Sequence, residues 1–108
     1  MDVNSLVQHK KHSLLGIGCV SKKTSDKFKV NFGLDGSMTC SLTSLVEIDT
    51  TECKTIELKE LNRLSISNSK DLPPYVIIGN ELRHYVGIGW VTQRVVTLND
   101  LKKYPRVI

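Results

Sequence analysis

The chain lacks long apolar runs and paired cysteine motifs, and it has few aromatic residues. No run of apolar residues approaches the roughly 18–20 that a membrane-spanning helix requires, so we expect no membrane partner. Only one tryptophan, three tyrosines and two phenylalanines are present. The three cysteines include no Cys-x-x-Cys pair, and their odd number favours free thiols in a reducing compartment. We therefore expect a cytoplasmic protein.

Recognisable catalytic and metal-binding patterns are lacking as well. No serine stands in a nucleophile-elbow motif, and the acidic residues are scattered through predicted turns and helix caps. His9 and His12 are three residues apart in a predicted loop, with no cysteine at the spacing of a zinc finger. We therefore expect a protein that is not an enzyme, with no catalytic residues, no metal ligands and no cofactor.

A short glycine motif occurs twice and organises the rest of the chain. Gly16-Ile17-Gly18-Cys19-Val20 lies near the start, and Gly87-Ile88-Gly89-Trp90-Val91 near the end. Glycine on either side of a β-branched residue suits a chain that bends sharply and then enters a sheet. A phosphate loop is not indicated, because neither copy has the further glycine or the Lys-Ser/Thr ending of such loops.

The first half shows the alternation of short β-strands. Residues 27–32 place Phe28, Val30 and Phe32 on one side, which marks a half-buried strand. Asp35-Gly36 is a tight-turn signal, and residues 43–45 suit a single 3₁₀ turn before a closing strand. Five short strands in this order predict a small SH3-like barrel over residues 1–49.

A family resemblance supports that barrel. The run Leu6-Val7-Gln8-His9, then Gly16-Ile17-Gly18-Cys19-Val20, Val30-Asn31-Phe32, Asp35-Gly36, Leu42 and Leu45 resembles the Tudor-like domains of bacterial proteins, some at the C-termini of repair helicases. Barrels of the CarD-like group in transcription regulators are similar. The resemblance covers about the first 50 residues, and Lys10 stands where these domains usually have proline. It implies docking onto transcription or DNA-processing machinery, often through a strand edge.

The second half is predicted to be rich in β-structure as well. Residues 50–74 are interpreted as a connecting segment with a strand and a brief helical turn, and 75–108 as a hairpin-rich module packed on the first. Gly79-Asn80 predicts a hairpin turn, residues 97–103 one short helix, and Pro105 an edge position for the last strand. The repeated glycine motif leaves two alternatives, a truncated second barrel or a β-rich extension. The fold class is therefore mainly β.

Two surfaces are candidates for binding. Lysines are concentrated in the first 30 residues of a chain whose net charge is +4, and a basic patch is all that phosphate contacts need. The candidate nucleic-acid-binding residues are Lys10, Lys11, Lys22, Lys23 and Lys27. A solvated lysine face without a ligand is the alternative. The candidate partner-binding residues are Tyr85, Trp90 and Tyr104, with burial of Trp90 in the core as the alternative.

Three functions follow from these observations. The leading hypothesis is a non-enzymatic interaction module with a protein partner in the transcription or DNA-processing machinery. The second is direct binding of DNA or RNA through the lysine patch. The third is a small phage protein that inhibits a host complex.

Overall fold

The protein is mainly β, as predicted. The computed structural model describes residues 1–33 and 36–108, and it has 40% strand, 21% helical structure and two sheets. The chain divides into two compact units, Met1–Thr50 and Thr51–Ile108. Of the predicted Asp35-Gly36 turn, Asp35 lies outside the described residues, so that prediction has no structural counterpart here.

The first unit is a five-stranded antiparallel sheet. Its strands are β1 (Leu6–His9), β2 (Gly18–Lys23), β3 (Lys27–Asn31), β4 (Ser37–Ser41) and β5 (Leu45–Glu47). They lie in the order β4-β3-β2-β1-β5, and 3₁₀ turns cover Ser13–Leu15 and Leu42–Ser44. Five short strands with a helical turn directly before the last one are the succession along the chain that the sequence predicted. The resemblance to the Tudor-like family itself stays a prediction.

Alternating side chains build the core of this unit. In β3, Phe28 and Val30 are buried, whereas Lys27, Lys29 and Asn31 are exposed. The buried residues of the sheet form one cluster: Val7, Val20, Phe28, Val30, Phe32, Cys40 and Leu45. Burying a side chain of this size contributes about 1.5–3 kcal/mol. The cluster therefore fixes which residues of β2, β3 and β4 point to the outside.

The second unit contains a mixed sheet and two helices among the described residues. Its elements are β6 (Thr55–Ile56), α1 (Leu58–Ile66), β7 (Tyr75–Ile78), β8 (Glu81–Tyr85), β9 (Trp90–Val95), α2 (Leu98–Lys103) and β10 (Arg106–Val107). The strand order is β6-β10-β7-β8-β9. The helix α1 is longer than the helical turn predicted, because Leu58, Leu61 and Leu64 share one face and the last two are buried. No described helix is long and apolar enough to cross a membrane.

The last strand is an inner strand, so the prediction of an edge position was wrong. β10 lies between β6 and β7 and runs parallel to both. Pro105 has no N–H to donate, but it precedes the strand, and its carbonyl accepts from Ile77 N at 2.9 Å. Arg106 N donates to Lys54 O at 2.8 Å. A proline at the start of a strand costs no ladder hydrogen bond, which is why it is tolerated beside an inner strand.

The second sheet does not repeat the first. All neighbouring strands of the first sheet are antiparallel, whereas β6, β10 and β7 form parallel pairs in the second. The repeated glycine motif therefore does not mark a truncated copy of the first sheet. Of the two alternatives, the β-rich extension describes the topology.

Candidate nucleic-acid interface

A β-bulge decides which lysines share the outer face of the first sheet. Val20 pairs with Val30, but the next pair along β2 and β3 is Lys22 with Lys29, so Ser21 is an extra residue. Its hydroxyl donates to the Lys29 carbonyl at 3.1 Å. A bulge of this kind re-aims the side chains that follow it. In consequence Lys22 stands directly across from Lys29.

These lysines border a shallow cleft of about 240 Å³. We call it the lysine cleft, and its lining residues are Lys22, Thr24, Lys27, Phe28, Lys29 and Thr39. Thr39 of β4 is the direct partner of Lys29. The cleft therefore combines ammonium groups from two strands with hydroxyl groups on either side.

The turn between β2 and β3 fixes one end of the cleft. Thr24 donates to the Lys27 carbonyl through both its backbone N, at 2.9 Å, and its Oγ1, at 3.1 Å. Phe28 is only 4% exposed, because its ring belongs to the core cluster. The buried ring anchors β3, so the exposed lysines on either side of Phe28 are held on a rigid strand.

Lys23 has a different environment from its neighbours. Its Nζ lies 3.1 Å from Oδ1 of Asp2, and this contact lowers the pKa of the Asp2 carboxyl. The register places Lys23 opposite Phe28 rather than beside Lys29. The described ion pairs include Lys23 but none of the three lysines that line the cleft. The cationic groups of the cleft are therefore Lys22, Lys27 and Lys29.

Lys10 and Lys11 lie at the other end of the sheet. β1 is antiparallel to β2, with Val7 opposite Gly18, so the loop after His9 lies beside the start of β2. At about 3.3 Å per residue, the four steps along β2 from Gly18 to Lys22 span roughly 13 Å. The structure thus separates these two lysines from the Lys22–Lys27 turn, instead of joining all five in one face.

That loop is held by a buried histidine. Nδ1 of His9 accepts from the backbone N of Lys11 at 3.1 Å and of His12 at 3.2 Å. The loop lines a second cleft of about 500 Å³ together with Met38. Leu14 is fully exposed there. The predicted loop is therefore ordered by His9, whose Nδ1 accepts two backbone hydrogen bonds.

Lys29 is the cleft residue that sequence reasoning left out of the candidate set. It contributes to the lysine count of the first 30 residues, but only the register shows that it faces Lys22. A signal was present, because Lys27 and Lys29 alternate with the buried Phe28 and Val30. Two lysines two residues apart on an amphipathic strand point to the same side.

The three aromatic candidates fall into two separate pairs. Tyr85 and Trp90 face each other across β8 and β9, with ring centroids 5.2 Å apart. Tyr104 follows α2 and contacts Tyr75 instead, also with centroids 5.2 Å apart. Sequence distance could not show this division, because the partner of Tyr104 is brought in by the parallel pairing of β10 with β7.

The hairpin between β8 and β9 presents an exposed apolar tip. We call it the hairpin tip, formed by Val86, Ile88 and Val91, of which Ile88 is 97% exposed. The Tyr85 hydroxyl donates to the Gly87 carbonyl at 2.8 Å and fixes the turn. Trp90 is half-buried, and its indole Nε1 is buried without a hydrogen-bond partner among the described residues. Trp90 is thus partly packed into its unit, and a role in partner binding stays a prediction.

The remaining titratable groups of interest are possible metal ligands and the three cysteines. Within residues 1–33 and 36–108, no three or more His, Cys, Asp or Glu side chains are grouped so that they could hold a metal ion. Cys19 and Cys40 are buried, and burial raises the pKa of the Cys40 thiol. Cys53 is half-buried. Of the three, Cys40 belongs to the core cluster of the first unit.

Comparisons with known proteins add no relative. No protein-family model matches the chain, and neither the search of curated proteins nor that of solved structures finds a match.

Proposed function

We propose that the protein is a binding module that holds nucleic acid by phosphate contacts at the lysine cleft. The observation that carries this proposal is the bulge at Ser21, which brings Lys22 beside Lys29, on the same cleft as Lys27. Without it, alternation would send Lys22 to the side of the buried Phe28. The local fold therefore concentrates positive charge at one place on the sheet.

The chemistry of the cleft suits phosphate oxygens. Lysine ammonium groups are donors without acceptor capacity, and threonine hydroxyls can also donate to phosphate. Each phosphate that a lysine neutralises releases condensed counterions. For three lysines, the logarithm of the affinity for duplex DNA should fall with the logarithm of salt concentration with a slope of about −2.7.

Charge reversal tests the proposal. We expect the double variant Lys22→Glu/Lys29→Glu to lose most of its affinity for fluorescein-labelled DNA, measured by fluorescence anisotropy between about 50 and 200 mM NaCl. The matched control is Lys59→Glu/Lys70→Glu, which makes the same change in net charge at two exposed lysines of the second unit. The control should retain most of the wild-type affinity, because only the cleft positions its lysines together.

Two results would contradict the proposal. One is an affinity that does not change with salt concentration. The other is an equal loss of affinity in both double variants, which would mean that total charge, rather than the cleft, attracts the DNA. Circular dichroism of all variants checks that the sheets are intact. Lys22 and Lys29 are exposed, so their replacement should leave the core unchanged.

Docking to a protein partner is a second candidate function, favoured by the hairpin tip. β9 is the last strand of its sheet in the described order, and an edge strand can pair with an added peptide strand. Beside it the hairpin tip exposes Ile88 next to the half-buried Tyr85–Trp90 pair. Aromatic residues with apolar neighbours are common anchors of protein interfaces.

The docking candidate is tested by a pull-down from bacterial lysate, treated with nuclease and analysed by mass spectrometry. Ile88→Asp should abolish capture of a specific complex, because a charge at the tip cannot be buried in an apolar pocket. The matched control is Ile66→Asp, another highly exposed isoleucine of the same unit. A complex that both variants capture equally would argue against the hairpin tip as the contact.

A further inference from the structure

We infer that the ligand of the lysine cleft is a double helix, held through its phosphates without reading of its bases. This inference rests on the proposed function and adds the form of nucleic acid. It comes from the side chains that surround the cleft, from the position of the aromatic rings, and from the spacing of the three lysines.

The outer face around the cleft consists of flexible cations and small hydroxyl side chains. β4 places small hydroxyl side chains on its outer side, at Ser37, Thr39 and Ser41. The residues between them are less exposed, and Cys40 is buried. In β3 the exposed positions are Lys27, Lys29 and Asn31. Such groups can contact phosphate oxygens. Contacts of this kind fix the position of a protein on a nucleic acid but carry no sequence information.

The described part of the first unit exposes no phenylalanine, tyrosine or tryptophan ring. Phe28 and Phe32 are 4% and 1% exposed in the core of the first unit. The remaining rings form the pairs Tyr85–Trp90 and Tyr75–Tyr104 of the second unit. Proteins that bind single strands gain much of their affinity when bases stack on exposed rings. A single strand lying on the outer face of β2–β4 would therefore find lysines for its phosphates but no exposed ring of the first unit for its bases to stack on.

The spacing of the cations favours a dense array of phosphates. Lys27 and Lys29 are two residues apart on one strand, which is about 6.6 Å, and Lys22 lies on the neighbouring strand about 4.8 Å away. A duplex carries one charge per roughly 1.7 Å of its axis, against about 3.4 Å for each strand alone. The same three lysines therefore meet a stronger negative potential on a duplex.

The experiment compares three labelled probes of equal length, about 20 base pairs or nucleotides. They are a DNA duplex, an RNA duplex and a single-stranded DNA of mixed sequence, each titrated with the full chain and followed by anisotropy. We expect at least one duplex to bind about fivefold or more tightly than the single strand at low salt. Comparison of the DNA and RNA duplexes shows which kind of double helix binds more tightly. Tighter binding of either duplex than of the single strand supports the inference.

A second comparison tests the claim that bases are not read. Two duplexes of equal length, one rich in A·T and the other in G·C pairs, should bind with affinities that agree within about threefold. A difference of about tenfold or more between the two affinities would overturn this part of the inference, because contacts to phosphate alone do not distinguish A·T from G·C pairs.

The outcomes separate this inference from the proposal on which it rests. Equal or tighter binding of the single strand, still lost in Lys22→Glu/Lys29→Glu, would overturn the double helix and leave the lysine cleft as the binding site. Binding of any probe that the double variant does not weaken would overturn both. Tighter duplex binding that the double variant abolishes would support both.

Discussion

The two glycine motifs share four of their five residues, differing only at Cys19 and Trp90, but they have opposite surroundings. In both, the first glycine has a positive φ, 73° at Gly16 and 88° at Gly87. The isoleucine that follows is 3% exposed at Ile17 but 97% exposed at Ile88. One motif bends the chain into the core of a sheet, and the other forms the tip of a hairpin.

The comparison shows which properties of such a motif are set by its own residues and which are set by the strands around it. The left-handed conformation of the first glycine is a property of the turn, and only glycine adopts it readily. Burial of the isoleucine and crowding at the second glycine come from the strands that lie beside the motif. A short sequence can therefore specify a bend without specifying whether the bend is inside or outside the fold.

The largest difference is expected at the isoleucines. Ile17→Ala should lower the free energy of unfolding of the first unit by about 2–5 kcal/mol, because it removes buried methyl groups and leaves a cavity. Ile88→Ala should change the stability of the second unit by less than about 0.5 kcal/mol. Urea unfolding, followed by the amide NMR signals of Val30 and Ile77, measures each unit separately. Similar losses in the two variants would remove the distinction between the motifs.

The second glycines give the next largest difference. A Cβ on Gly18 would lie 2.7 Å from Cε1 of Phe32 and even closer to Val30, whereas a Cβ on Gly89 would meet no atom within 4 Å. Gly18→Ala should therefore destabilise the first unit by about 1–3 kcal/mol or more, since the core must shift to admit the methyl group. Gly89→Ala is the matched control and should be nearly neutral. A stable Gly18→Ala protein would show that the core adapts more freely than its packing indicates.

The first glycines should behave alike. Gly16→Ala and Gly87→Ala each force an L-residue into the left-handed region, at a cost of about 1–2 kcal/mol. Neither position has an atom within 4 Å of the added Cβ, so no steric term separates them. Thermal unfolding of the two variants measures both costs. A large inequality would show that the shared conformation is not the common element of the two motifs.

The smallest effect concerns the ion pair between Arg94 and Asp100, which lies after the second motif in the chain. Arg94 of β9 contacts both carboxylate oxygens of Asp100, which is buried in α2. Asp100 and Thr97 also form a capping box at the start of the helix. Asp100→Asn should destabilise the second unit by about 1 kcal/mol near pH 7, through the loss of a charged cap.

This contribution should depend on pH in one direction. The contact with Arg94, ahead of the hydrogen bonds from Thr97, holds the pKa of Asp100 below its usual value of 3.8. Because the folded pKa is the lower one, the stabilisation is present above about 3.8 and is lost as the pH falls through the folded pKa. Stability measured from neutral pH to about pH 2 should therefore show wild type and Asp100→Asn converging in acid. A constant difference would mean that the charge of Asp100 is unimportant.

The sequence was sufficient for the features that depend on neighbouring residues. Alternation at Phe28 and Val30 located β3 and its buried face, and Thr97 with the following lysines located α2. Features set by pairing between distant segments could not be predicted this way. The extra residue Ser21 is invisible until β2 is aligned with β3, and it alone turns Lys22 toward Lys29. The inner position of β10 depends on two parallel partners that are far away in sequence.

The direct opposition of Lys22 and Lys29 has a consequence for the free protein. Two like charges at one position of an antiparallel pair repel each other and weaken the sheet. The first unit is thus electrostatically frustrated until an anion lies between them. Dissolved salt screens the repulsion, so the same rise in salt concentration that weakens phosphate binding should make the unbound sheet harder to unfold. A polyanion that binds the folded sheet would then stabilise it against unfolding, because its negative charge offsets the repulsion between the two lysines.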